Sequence, residues 1–153
     1  VDIPNYKELE IKNIVIDFNG TIAYNGRIIE GVYEKLNKLS YKCQIYVLTA
    51  DTYGTVSGLF QDINVKVEII KDKNGRKYKA DFINRLGSKY SVAIGNGNND
   101  SEMLEKSCLG ILIIGKEGAA KEALLKSDLI VKDIKDALDL LINPVGLVAS
   151  LRK

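Results

Sequence analysis

Three short polar segments each follow an apolar run in this 153-residue chain, and together they carry the groups needed to handle a phosphoryl group. They are Asp17-Phe18-Asn19-Gly20-Thr21, Thr49-Ala50-Asp51-Thr52 and Gly95-Asn96-Gly97-Asn98-Asn99-Asp100. A carboxylate at a strand end, Asp17, can attack phosphorus and form an acyl phosphate, splitting one difficult displacement into two. Carboxylate and phosphate repel, so the attack calls for a cation, and Mg²⁺ with oxygen ligands suits that need. Thr49 and the backbone N–H groups after it can hold the equatorial oxygens, and the glycines of the third segment let backbone approach an anion. A lysine is wanted opposite. Lys79, at the head of a helical stretch leading into the fourth apolar run, is best placed, with Lys71, Lys73 and Lys77 as competitors. Singly, each feature reads as a turn, a loop, a cap or a solvated lysine. Their order along the chain favours the chemistry.

The elements that must position these groups are legible as apolar runs at 13–18, 44–48, 65–69, 91–94 and 110–114, with a shorter sixth at 129–131. Each is nearly continuous in Val, Ile or Leu, as expected of strands covered on both faces of a parallel sheet. Helical spacing occupies 31–39, 55–60, 80–86, 101–106 (with Asp100 as N-cap), 119–125 and 133–142. The alternation predicts an α/β fold with an open, mostly parallel, doubly wound sheet, and a single domain over 1–153. Ligands gather at the carboxyl ends of such strands, so the three polar segments are expected to meet in one crevice. Residues 1–12 read as an edge strand, and 71–78, with Asn74-Gly75, as an exposed turn or hairpin.

Composition narrows the function classes. The chain has no histidine, which removes His-based triads, His zinc sites and imidazole acid-base chemistry. Net charge is +2, from 22 basic and 20 acidic residues, and no basic block occurs, so neither nucleic acid nor a membrane surface is expected as partner. No apolar run approaches membrane-spanning length, and the start lacks the basic-then-apolar pattern of a leader. Cys43 and Cys108 flank apolar runs without metal spacing and read as buried reduced thiols, in keeping with a cytoplasmic protein.

The ordered segments resemble the haloacid dehalogenase superfamily across residues 13–142. Its Asp-x-Asp-x-Thr motif is matched by Asp17–Thr21 with Asn19 in place of the second Asp. Its strand ending in Thr or Ser is matched by Tyr46-Val47-Leu48-Thr49, its lysine by Lys79, and its Gly-Asp-x-x-x-Asp by Gly95–Asp100 with Asn96 in place of the first Asp. Leu48-Thr49-Ala50-Asp51 and Gly97-Asn98-Asn99-Asp100 are similar to motifs of P-type ATPases, so the chain looks closest to the small soluble phosphatases named after those pumps. The short spacing from Asp17 to Thr49 leaves no room for a nucleotide domain, so the resemblance implies a phosphatase without a sizeable cap.

It further implies Asp17 as nucleophile and first metal ligand, the Asn19 carbonyl and the Asn96 amide as further Mg²⁺ ligands, and Asp100 supporting the metal shell. Thr49, the Ala50 N–H, Asn99 and Lys79 would hold the phosphoryl group of a phosphorylated substrate, small or macromolecular. Asn19 cannot titrate, which removes the usual acid-base step and predicts slow turnover. A binding or regulatory module that kept the fold and lost turnover is the alternative. A response-regulator-like phosphoacceptor fits worse, because its early acidic pair is missing. An uncapped crevice is compatible with a second copy of the chain acting as lid, with Leu147, Val148 and Leu151 packing either on that copy or in the chain's own core.

Overall fold

The computed structural model describes residues 1–51 and 54–153, so Thr52 of the second polar segment lies outside the described residues. Six strands form one sheet: β1 (Asn13–Asp17), β2 (Gln44–Thr49), β3 (Val65–Ile69), β4 (Ser91–Gly95), β5 (Leu109–Ile113) and β6 (Leu129–Val131). Their spatial order is β6-β5-β4-β1-β2-β3, and every neighbouring pair is parallel. The chain leaves β1 for one side of the sheet and later fills the other. The order therefore reverses at β1, where open parallel sheets leave a crevice at their carboxyl ends.

Strand periodicity explains the two cores. Ile14 and Ile16 of β1, with Ile45, Val47, Val92, Ile94 and Ile111, face α1 (Val32–Ser40), α6 (Ile134–Ile142) and α7 (Val145–Leu151). Val15, Leu48, Ala93 and Leu112 face the opposite layer of α3 (Gly75–Leu86), α4 (Ser101–Lys106) and α5 (Lys121–Lys126). A short α2 (Thr55–Leu59) sends Val56 into the first core. Because successive side chains alternate, both faces are apolar and the runs read as continuous. Each fully buried Ile or Leu contributes about 1.5–3 kcal/mol, so slipping a strand by one residue would be costly.

Several expectations need correction. Residues 1–12 do not join the main sheet as an edge strand; Asp2–Ile3 pairs antiparallel with Lys7–Glu8 as a separate hairpin, with Ile3 and Leu9 buried against the first core. Asn74-Gly75 is neither hairpin nor free turn. Asn74 Oδ1 accepts from the Lys77 N–H at 3.2 Å and caps α3, which begins five residues before the expected start at 80. An amide side chain that favours turns serves equally as a helix cap. A second hairpin, Ala23–Tyr24 with Arg27–Ile28, was not anticipated; Asn25 (φ 51°) and Gly26 (φ 76°) make the left-handed pair that tight hairpins require. Leu147 is fully buried, and Val148 and Leu151 pack partly buried around the same core, so this cluster serves the chain's own interior. Cys43 and Cys108 are free thiols and only half-buried. Among the described residues no helix is long and apolar enough to cross a membrane.

Candidate functional site

Alternation along β1 puts Asp17 on the face of Val15, the side covered by α3. The β1–β2 register sets Asp17 beside Leu48, so Thr49 comes one residue further along, and β4 ends alongside at Gly95. Lys79 lies in the second turn of α3 with its side chain 3% exposed. Its Nζ donates to Asp17 Oδ1 at 2.8 Å and to Asp100 Oδ1 at 2.7 Å. The other oxygen of Asp100, Oδ2, accepts the backbone N–H groups of Asn96 and Gly97, both at 3.0 Å. Asp100 thus braces the lysine and the β4 loop together, rather than capping α4 with its side chain. A glycine is needed beside it: a Cβ on Gly95 would lie 2.5 Å from Asp100 Cγ.

This arrangement shifts both charged partners. Burial, and then the nearby Asp100 carboxylate, push Asp17 from 3.8 up to about 7, against the opposing pull of Lys79 and of the Thr21 hydrogen bond. Burial would lower Lys79, but Asp100 and Asp17 outweigh it and hold the ammonium above its ordinary value. Thr21, fully buried, has its Oγ1 3.3 Å from Asp17 Oδ2 and 3.4 Å from Asn96 Oδ1. One hydroxyl proton can serve only one of these acceptors at a time, so the pair keeps spare lone-pair capacity.

A crevice of about 550 Å³ opens here, lined by Asp17, Asn19, Thr49, Ala50, Lys79, Asn96 and Asn99. Seven of the eight residues singled out in the sequence therefore share one cavity, and the eighth, Asp100, sits behind Lys79 with no exposure. Thr49 is buried, and its Oγ1 accepts the Asp51 N–H at 3.1 Å. Of the competing lysines, Lys71 and Lys77 are exposed outside the crevice, while Lys73 reaches its rim. Glu117, from the loop after β5, also lines it. Sequence reasoning missed Glu117, whose signal was a pair of charged residues between two glycines, ordinary loop composition. A larger cavity, about 930 Å³, lies at the amino ends of the strands among Leu9, Ile11, Ile14 and scattered Lys and Glu side chains. Among the described residues its lining carries no buried ion-paired set like that around Lys79, so the smaller crevice is the candidate site.

The donor set suits a hard divalent cation. Asp17, Asn96, Thr21 and the Asn19 backbone offer oxygen alone, with no thiol or imidazole nearby, which favours Mg²⁺-like ions over softer metals. Among the described residues no cluster of three or more His, Cys, Asp or Glu side chains has the geometry to hold a metal. Mg²⁺ commonly takes only one or two carboxylates and keeps several waters, so the oxygen set remains a fit.

Comparison with known proteins matches this architecture. The chain overlays a haloacid dehalogenase superfamily (subfamily III A) hydrolase of Legionella pneumophila with a TM-score of 0.70 at 14% identity, covering 92% of this chain and 87% of the other. The fold is that of the haloacid dehalogenase superfamily. A 3-deoxy-D-manno-octulosonate 8-phosphate phosphatase of Moraxella catarrhalis, solved with magnesium, phosphate and KDO, overlays with a TM-score of 0.66 at 14% identity, covering 92% and 90% of the two chains. In sequence, an uncharacterized protein of Methanocaldococcus jannaschii is 54% identical over 65 residues, 42% of this chain and 70% of its own length, and the two belong to one family. A soluble P-type ATPase-like phosphatase of the same organism is 23% identical over 123 residues, 78% of this chain and 45% of that protein. No protein-family model matches the chain.

Proposed function

We propose that this chain is a Mg²⁺-dependent phosphohydrolase that works through an aspartyl-phosphate on Asp17. The observation that carries this reading is the Lys79 ammonium held between Asp17 and Asp100 on the floor of a crevice that Thr49, Ala50 and Asn99 also line. Asp17 attacks phosphorus, a bond forms from its carboxylate oxygen, and the ester P–O bond breaks. Lys79, Thr49, the Ala50 N–H and Asn99 bind the phosphoryl oxygens, and Asp100 keeps Lys79 aimed. Asn19 holds no transferable proton, so the leaving oxygen takes its proton from water. Water then attacks the phosphorus, the bond to Asp17 breaks, and inorganic phosphate leaves. A divalent ion held by Asp17, the Asn19 carbonyl and Asn96, with Asp100 behind them, would supply charge neutralisation for both displacements. The phosphatases named among the similar proteins, one of them solved with magnesium and phosphate, support the assignment.

The test is Mg²⁺-dependent release of p-nitrophenol from p-nitrophenyl phosphate, abolished in Asp17→Asn, together with capture of beryllofluoride on Asp17. Hydrolysis that survives Asp17→Asn would end the reading. Asn19 and Asn96, standing where two carboxylates are usual, favour one alternative, a phosphate-binding module without turnover. Beryllofluoride capture with no ester hydrolysis would select it.

A further inference from the structure

The chain leaves β5 at Ile113 and turns through Gly115-Lys116-Glu117-Gly118, closed by the Gly118 N–H donating to the Gly115 carbonyl at 3.0 Å. Two contacts fix this turn against the crevice. The Lys116 N–H donates to the Tyr24 hydroxyl of the second hairpin at 3.1 Å, and the Ala120 N–H donates to the Asn96 carbonyl at 2.9 Å. A Cβ on Gly115 would collide with that tyrosine hydroxyl, so glycine lets the hairpin close on the turn. Held there, Glu117 reaches back over the nucleophile loop. A Cβ built on Gly20 would collide with Glu117 Oε2 and would lie 2.9 Å from Asn96 Nδ2. Asn96 presents Oδ1 to Thr21 and its Nδ2 end to the space above Gly20 where the Glu117 carboxylate stands.

We infer that Glu117 supplies the second net negative charge of the cation site, the charge that Asn19 and Asn96 do not provide. This rests on the metal-dependent reading above. Asp17 and Asp100 against Lys79 leave one net negative charge at the crevice floor, which is little with which to hold a divalent ion out of bulk water. Glu117 adds another beside Asn96 and over Gly20, from an unrelated loop. An exposed glutamate is ordinarily a solvated loop residue. Here the turn that bears it is tied to Tyr24 and Asn96, Gly115 lets the Tyr24 hydroxyl close on that turn, and Gly20 leaves the space that the Glu117 carboxylate occupies. Carboxylates beside a metal's direct ligands orient its waters and tune its affinity, and losing one typically weakens binding about 10–100-fold.

The experiment is titration of the full chain with Mg²⁺ alone, at fixed pH and low salt, followed by calorimetry and by the shift in thermal midpoint. Glu117→Gln, which keeps shape and removes charge, is expected to bind about tenfold more weakly than wild type. Adding Asn96→Asp to that variant restores the affinity, because the charge returns inside the site. Glu122→Gln, on the exposed side of α5, controls for bulk charge and leaves the affinity unchanged. Equal Mg²⁺ binding by wild type and Glu117→Gln, or an equal loss in Glu122→Gln, overturns the role of Glu117 and leaves the phosphohydrolase reading standing. Wild type that binds no Mg²⁺ overturns both.

Discussion

Lys79 Nζ lies 2.7 Å from Asp100 Oδ1 with both side chains out of solvent, and the same nitrogen reaches Asp17 Oδ1 at 2.8 Å. One cation thus bridges two carboxylates that would otherwise repel each other across the crevice floor. Lys79→Met should destabilise the protein by roughly 3–5 kcal/mol, since it strands buried charge rather than merely removing an attraction. Urea unfolding at neutral pH measures it. Adding Asp17→Asn should recover part of the loss, because one stranded carboxylate disappears. If the double variant is no more stable than Lys79→Met, the repulsion has been misjudged.

The raised Asp17 pKa gives the metal-free protein a definite pH dependence. Its carboxyl titrates at about 7 in the folded state against 3.8 ordinarily. Between those values the folded protein keeps a proton that the unfolded chain has released. The contribution of Asp17 to stability is therefore complete below the lower value, declines as pH rises, and is gone above the upper one. The thermal midpoint of wild type should fall from pH 5 to pH 8 more steeply than that of Asp17→Asn. At the proposed metal site a divalent ion would compete with the same proton, so Mg²⁺ should restore stability at pH 8 and do little at pH 5. Parallel pH profiles for wild type and Asp17→Asn would contradict this.

The sheet was legible because burial on both faces leaves long β-branched runs, and the runs at 65–69 and 129–131 coincide with β3 and β6. The site was legible for a related reason: in a parallel sheet every strand ends on the same rim, so residues just past the runs must meet. Lys79 could be separated from Lys77 only once the face of α3 that carries Phe82 and Ile83 was known to turn inward. The start of α3 was hidden because Asn-Gly has the same chemistry in a turn as at a cap. Glu117 was hidden because no local pattern records that a loop after β5 leans over Gly20; only the tertiary placement of the Tyr24 hairpin brings it there.

The Asn74 cap gives a separable test of how Lys79 is presented. Asn74→Ala removes the acceptor for the Lys77 N–H and should cost about 1 kcal/mol. Lys79 is held further along the helix by Asp17 and Asp100, so p-nitrophenyl phosphate turnover should stay within about twofold of wild type at 25 °C. A large loss of turnover with little loss of stability would mean that the cap, rather than the ion pairs, aims the lysine.

Asn19 offers the sharpest test of rate. It is exposed, and it lines the crevice two residues along the chain from Asp17. In the proposed mechanism an amide there would neither give a proton to the leaving oxygen nor take one from the attacking water, so both displacements would proceed without acid-base help. A carboxyl placed by Asn19→Asp would be solvated rather than buried and would cost little stability. Once positioned it could donate its proton as the ester bond breaks and, ionised by that step, accept one from water as the acyl phosphate is hydrolysed. Acid-base assistance of this kind typically contributes about 10²–10⁴-fold, and the gain should fall mainly on hydrolysis of the phosphorylated enzyme. Substrates with poor leaving groups should gain more in the first step than p-nitrophenyl phosphate, whose leaving group needs no proton. Rapid-quench measurement of aspartyl-phosphate decay separates the two steps. A decay no faster in Asn19→Asp than in wild type would mean that something other than the missing acid-base group limits turnover.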